Sequence, residues 1–256
     1  MGPPPPAAAL LEALPLTRRL SRFVSLSADE RAILHDLQGN TRTVQRHRDI
    51  ITEGRSYDSL FVVLEGIGIR YRILHDGRRQ IVNIVLPGDI VGVLGALFES
   101  ALYSTKALTE MTVGTVPFIR LNALLETYPR LIAKIFWSFS CESAIYAEHV
   151  IDLGRRSALE RIAHFLLELL TRLQAVGLAD ERSYKIPLTQ ELIGDALGLS
   201  IPHVNRVLRR LRDDHLVSIE EQRVTIKDID ALSELADFDP GYLSRFSVAE
   251  LLERGG

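Results

Sequence analysis

The sequence predicts an α+β chain: a small jelly-roll-like β-roll, then one long helix, then a C-terminal winged helix-turn-helix. Three observations lead there. Between residues 43 and 118 short β runs appear, Ile67–Ile73 alternating with a period of two, and glycines at 54, 66, 77 and 88 mark where short strands must turn. After Pro129 the apolar period becomes helical and holds for three heptads. Residues 188–211 read as two short helices joined by a glycine-bearing turn. The bulk numbers agree with one large or two ordinary domains: of 256 residues 46% are apolar, which excludes wholesale disorder. Uncharged stretches such as Ile90–Phe98 fall far short of the roughly 20 residues a membrane span needs, and no basic start followed by an apolar run resembles a signal peptide. A cytoplasmic protein without a membrane partner is expected. The net charge of −3 decides nothing about nucleic acid, because an acidic remainder masks a local basic surface.

The chain opens with MGPPPPAAA, a polyproline-like tail, since four consecutive prolines lack the amide donors of a helix or a strand ladder. Residues 1–19 hold this tail and the start of a helix that runs from Leu10 to about Leu37, with a break near Val24-Ser25. Ser27 followed three residues on by Glu30 is a capping box. The roll is assigned to residues 20–128. Within it Ile67, Ile69, Tyr71 and Ile73 alternate with Gly68, Arg70 and Arg72 as on a half-buried strand. Asp76-Gly77 reads as a two-residue hairpin turn, and Gln80–Leu86 returns before Pro87-Gly88-Asp89. Ser59–Leu64 and Thr112–Phe118 are further strands, of roughly eight that fold into the roll.

Residues 129–154 form the long helix. Ile132, Phe136, Phe139, Ser143, Tyr146, Val150 and Leu153 fall at alternating spacings of four and three, a seam in which only Ser143 is polar. A helix flanking its own roll needs less than this, so pairing with a second copy in a homodimer is preferred to a lone helix. Gly154-Arg155-Arg156 breaks the run and is read as a hinge. A second amphipathic helix, about Ser157 to Leu173, opens a DNA-binding domain at 155–232, and 233–256 is a C-terminal extension.

In the segment LTQELIGDALGLSIPHVNRVLRRL, Thr189 caps a short helix with Leu192, Ile193, Ala196 and Leu197 inside. Gly198 stands where a left-handed residue is wanted, with Leu199 as its apolar anchor. Ser200 caps a second helix, with Pro202 in its first turn and Val204, Val207, Leu208 and Leu211 on its buried side. The other side carries His203, Asn205, Arg206, Arg209, Arg210 and Arg212. Arg206 offers the fork that grips guanine O6 and N7, and Asn205 or His203 meets neighbouring base edges or phosphates. Arg209, Arg210 and Arg212, with Thr189, Gln190 and Ser200, are assigned to phosphate. Leu216–Ile219 and Arg223–Ile226 read as a hairpin wing. A basic helix face alone is common. Turn glycine, paired caps, buried period and hairpin together point to double-stranded DNA.

These ordered pieces resemble the catabolite activator/fumarate-nitrate regulator (Crp/Fnr) family of bacterial transcription factors from about Leu20 to Leu232. The match rests on EGRSYDSLFVVLEGIGIRYRILHDGRRQ, the turn LPGDIVG, the long helix, and the helix-turn-helix with its wing. The resemblance implies a cyclic-nucleotide-binding-type β-roll, a dimerisation helix and a winged helix, acting as a homodimer on palindromic promoter sites with RNA polymerase as a further partner. It also implies that a nucleotide pocket uses a glutamate on the ribose hydroxyl and an arginine on the cyclic phosphate. Here the frame GDIVGVLGALF is intact, but Val93 takes the glutamate's place and Tyr103 or Ser104 the arginine's. No arginine or lysine occurs between Arg79 and Lys106, so a phosphate would be desolvated against apolar walls and hydroxyls. Gly92, Val93, Leu94, Tyr103 and Ser104 are therefore read as a degenerate effector pocket, and cAMP is not expected. Ile201-Pro202 also replaces the Arg-Glu pair of the cAMP-responsive member, while Asn205-Arg206 is closer to the Ser-Arg ending of the oxygen-sensing branch.

A single cysteine, Cys141, excludes a cysteine-held iron–sulfur cluster, and is read as a small buried residue in preference to a redox switch. Haem is not expected: His35, His47, His75 and His149 are available, but a lone histidine is more often structural, and the carbon-monoxide sensor's pocket histidine is missing. No cofactor and no metal is assigned. Without a glycine-rich phosphate loop, a nucleophile elbow or HExxH spacing, no enzyme is expected. Two alternatives to a regulator with a degenerate pocket stay open: a cAMP-responsive regulator, and a nucleotide-binding module that serves a protein partner.

Overall fold

The computed structural model describes residues 14–21 and 24–244, so the proline tail and the end of the C-terminal extension lie outside the described residues. Contacts divide the chain into two units. Described residues up to 70 and 84–139 form the first, and 71–83 with those from 140 onward form the second. The boundary runs through one hairpin and through the long helix.

The roll is built from β1 (Thr41–Val44), β2 (Asp49–Ile51), β3 (Ser59–Glu65), β4 (Gly68–Ile73), β5 (Arg79–Val85), β6 (Ile90–Val91), β7 (Ser104–Ala107) and β8 (Met111–Pro117). They lie in two four-stranded sheets, ordered β1-β8-β3-β6 and β2-β7-β4-β5. Helices α1 (Pro15–Ser21), α2 (Ala28–Leu37), α3 (Val93–Leu97) and α4 (Phe118–Thr127) accompany them, followed by the long α5 (Pro129–Gly154). β3 explains why the strand pattern is hardest to read at the centre. Its Phe61 and Val63 join the roll interior with Val44, Val91, Met111 and Val113. Leu60 and Val62, one step out of phase, join a helix-side cluster with Leu16, Leu20, Leu34, Leu131 and Ile135. A strand covered on both faces loses its alternation.

Local chemistry sets the element ends. Ser27 Oγ accepts from Glu30 N (3.1 Å) and Glu30 answers to Ser27 N (2.8 Å), the expected capping box of α2. Two expectations need correction. The β4–β5 turn is wider than Asp76-Gly77: Leu74 N donates to Arg78 O (2.8 Å) and Gly77 N to Leu74 O (2.9 Å). That makes a three-residue loop with Gly77 at φ 84°. The apolar alternation also stops short, because Ile69 and Tyr71 are buried but Ile73 is 57% exposed at the hairpin's end.

The second unit packs on α6 (Ala158–Ala175), opened by a second capping box between Ser157 and Glu160. Ile162, Phe165, Leu166, Leu169, Leu170 and Leu173 are all buried, at about 1.5–3 kcal/mol of transfer energy each. Against α6 lie α7 (Gln190–Leu197), α8 (Ile201–Asp213) and α9 (Ile229–Ala236). The sheet has order β10-β11-β9, from Val217–Glu220, Arg223–Ile226 and Ser183–Lys185. β9 was not anticipated from sequence. It is three residues long and buries only Tyr184, whose hydroxyl donates to Leu166 O (3.2 Å). α9 carries the packed fold past Leu232 to Ala236, and α10 (Gly241–Ser244) follows. No helix among the described residues is long and apolar enough to cross a membrane.

Candidate nucleic-acid interface

The interface begins with a cap. Thr189 is extended, and its hydroxyl accepts from Leu192 N (3.1 Å) to start α7. Leu192, Ile193 and Leu197 are buried, while Ala196 is half-buried. Gly198 closes the helix at φ 65°, its N–H bonded to Gly194 O. Gly194 is a requirement the sequence reading missed: a Cβ there would sit 2.6 Å from Leu199 O, so only glycine lets the turn fold back. Ser200 then takes the cap position of α8, but its side chain makes no capping bond, contrary to expectation.

α8 separates its faces sharply. Val204, Val207 and Leu211 are buried and Leu208 is half-buried. Asn205, Arg206, Arg209, Arg210 and Arg212 are exposed, and His203 is half-buried. Arg210 Nε lies 3.5 Å from Asp214 Oδ2, an exposed pair that holds the arginine only weakly. Asn205 Nδ2 donates to Gln190 Oε1 (3.3 Å), joining a base-reading candidate to one assigned to phosphate.

One nearby feature was not legible in the sequence, and another narrows the expected hairpin. Arg79, which groups with the second unit, binds Asp195 Oδ2 through Nε and Nη2 (2.7 Å each) and Glu191 Oε1 (3.2 Å). It thereby neutralises the acidic side chains of α7 beside the basic face. The wing turn is Glu221-Gln222, both left-handed at φ 48° and 65°. With Glu220 and Glu221 exposed at its tip, the wing repels phosphate there. Arg223 at its base is engaged by Ser183 Oγ (2.9 Å) and Asp180 (3.4 Å).

The other candidate residues lie elsewhere. In the first unit Gly92 opens α3 at φ 96°, and Val93 packs against the helix-side cluster. Leu94 is exposed, Tyr103 is half-buried, and Ser104 is buried with its hydroxyl accepting from Glu53 N (3.0 Å). On α5 the residues buried within the chain are Leu131, Ile135, Ser138, Ile145 and Asp152. The heptad seam lies beside that stripe. Phe136 and Val150 are each 69% exposed, Leu153 is exposed, and Tyr146 is half-buried. Ser143 is exposed too. Ile132 and Phe139 pack partly on the helix-side cluster. Cys141 is half-buried, not enclosed as expected. Among the described residues no group of three or more His, Cys, Asp or Glu is placed to hold a metal ion.

Known proteins share both halves of this layout. Residues 41–128 match the cyclic nucleotide-binding domain, and residues 160–235 match the Crp-like helix-turn-helix domain. The chain is 30% identical over 213 residues to the transcriptional activator protein Anr of Pseudomonas aeruginosa, covering 83% of this chain and 87% of that relative. It is 33% identical over 195 residues to the nitrogen fixation regulation protein FixK of Bradyrhizobium diazoefficiens, covering 76% and 78%. Among solved structures, FixK2 from Bradyrhizobium japonicum aligns with a TM-score of 0.68 at 27% identity, over 76% of this chain and 96% of that one. A CRP-family transcriptional regulator from Thermus thermophilus aligns with a TM-score of 0.63 at 25% identity, over 77% and 97%.

Proposed function

The chain belongs to the Crp/Fnr family of transcriptional regulators, and from that premise we propose that it binds palindromic promoter DNA as a homodimer without a cyclic nucleotide. The observation that carries the DNA reading is the segregation of α8, with three valine and leucine side chains inside and four arginines outside. Arg206 reads guanine, with Asn205 and His203 on neighbouring bases. Arg209, Arg210 and Arg212, with Thr189, Gln190 and Ser200, hold phosphates. The exposed α5 seam from Phe136 to Leu153 supports pairing of two copies, which sets two recognition helices about 34 Å apart, one DNA turn. RNA polymerase is the downstream partner and the bacterial cytoplasm the place of action.

The pocket reading rests on what its side chains already do. Val93 is spent on apolar packing and Ser104 on the Glu53 amide, so neither offers a charge to a ribose or a cyclic phosphate. Regulation here assigns no haem, no iron–sulfur cluster and no catalysed reaction.

The test is selection of bound sequences from a random duplex pool by the purified protein, with and without cAMP. A palindrome enriched equally in both arms is expected. Enrichment only with cAMP would overturn the pocket reading, and an enriched site without two-fold symmetry would overturn the dimer.

A further inference from the structure

Away from the DNA-facing surface, the second unit buries charge where α5 meets α6. Glu168, fully buried, accepts from His149 Nε2 (3.1 Å), Arg172 Nη1 (3.1 Å) and the Tyr242 hydroxyl (3.2 Å). His164, 1% exposed, sets Nδ1 3.3 Å from Asp152 Oδ2 and Nε2 3.5 Å from Glu148 Oε2. Arg156 binds the same two carboxylates at 2.8 and 3.1 Å. Arg172 also reaches Asn83 Oδ1 (3.0 Å), whose amide donates to Glu142 (3.0 Å). The C-terminal segment closes the cluster: Phe238 stands edge-on to the His164 ring at 5.1 Å, and Tyr242 stacks on it at 6.1 Å.

The charges in direct contact within this cluster balance when His149 is protonated. Glu148, Asp152 and Glu168 face two arginines, Arg156 and Arg172, while Glu142 accepts from Asn83 and Tyr146. A second proton on His149, beside Glu168, supplies the third positive charge. His164 turns its ring nitrogens toward Asp152 and Glu148, yet its Nδ1 and Asp152 Oδ2 form no hydrogen bond with each other. Discharging His149 leaves the fully buried Glu168 with one positive neighbour fewer.

We propose that this cluster is a proton-operated lock on the hinge: charged, it fastens the last turns of α5 to α6 and α10, and its deprotonation as pH rises frees them and weakens promoter binding. A loosened hinge must be re-ordered when two recognition helices engage one palindrome, and that ordering opposes binding. The link to promoter affinity rests on the DNA-binding reading above, whereas the lock itself does not. Burial lowers the proton affinity of His149, but the hydrogen bond and charge of Glu168 outweigh it, and the net shift is upward from 6.5. Burial alone would raise Glu168, yet His149, Arg172 and His164 hold it at about 2. A raised histidine contributes stability in full below its ordinary value and loses it as pH rises through the raised one. The depressed Glu168 loses its contribution only as pH falls toward 2. The lock is therefore closed in mild acid and opens as pH rises.

The experiment compares full-length wild type with His149→Gln/His164→Gln between about pH 6.5 and 8.5, the range over which histidine discharges. Hinge protection at residues 150–160 is followed by hydrogen exchange, as protection factors that divide out the intrinsic pH dependence. Affinity is measured for the palindrome selected by wild type. In wild type both quantities should fall steadily as pH rises across the range. The variant should be poorly protected throughout, and its affinity should change less with pH than that of wild type. Should the double variant fail to fold, His149→Gln alone is expected to flatten the slope in part. Constant hinge protection in wild type, or a variant that keeps the full wild-type slope, would overturn the proposal. A chain that binds no DNA at any pH would defeat the regulator reading while its exchange rates still reported on the lock.

Discussion

Two short helices of this chain begin just after a left-handed glycine. Gly92, at φ 96°, opens α3 in the roll, and Gly198, at φ 65°, closes α7 two residues before the cap of α8. Both turns keep their geometry, but their surroundings differ. Around α3, Val93 is packed on apolar neighbours and Ser104 is tied to the Glu53 amide. On α8, Arg206, Arg209, Arg210 and Arg212 all reach solvent. A turn is held by backbone conformation, which survives exchange of its side chains. Recognition is held by a few charged groups, which do not survive such exchange. A backbone turn can thus be the same in two places whose side chains do quite different things.

Four kinds of substitution break or sharpen this contrast, in falling order of effect. Gly194→Val drives a side chain into Leu199 O, and should cost about 1–3 kcal/mol in denaturant unfolding of the second unit and abolish promoter binding. Its counterpart Gly92→Ala should cost a similar 1–2 kcal/mol or so from left-handed strain, roughly what a Cβ pays there, yet leave DNA affinity intact. If Gly92→Ala abolished DNA binding as well, the contrast between the two turns would be lost. Arg206→Ala should weaken binding about 10–100-fold, or roughly 1–3 kcal/mol, and erase the preference at one base position in a selection experiment. Arg209→Ala or Arg210→Ala should weaken all sequences alike and lower the slope of log affinity against log salt by about one. Arg79→Ala is the mildest, because its ion pairs are partly solvated: about 0–1 kcal/mol by thermal unfolding, with slightly weaker DNA binding as Glu191 and Asp195 lose their compensating cation.

Much of the candidate site was legible because its signals are short-range. The Thr189 cap, the Gly198 turn and the buried Val204–Val207–Leu211 row are each set within a few residues. So are the bounds of α5, read at 129–154 and found at Pro129–Gly154. Misjudged features depend on distant partners. β9 exists because Tyr184 pairs with Val224, and nothing in its own three residues announces a strand. Arg79 reaches Asp195 across 116 residues of chain. The need for glycine at 194 arises only once the turn has folded back on Leu199.

Periodicity, caps and the placement of arginines by themselves determined that this chain makes a β-roll, a long helix and a DNA-facing helix-turn-helix, because these follow from bonds and burial along a few turns of backbone. Tertiary structure alone decided which charges are buried together. His149, His164 and Glu168 look like ordinary polar positions on two amphipathic helices. They become a coupled, dry cluster only when α5, α6 and the C-terminal Tyr242 pack, because removing water from a charge depends on every element that surrounds it.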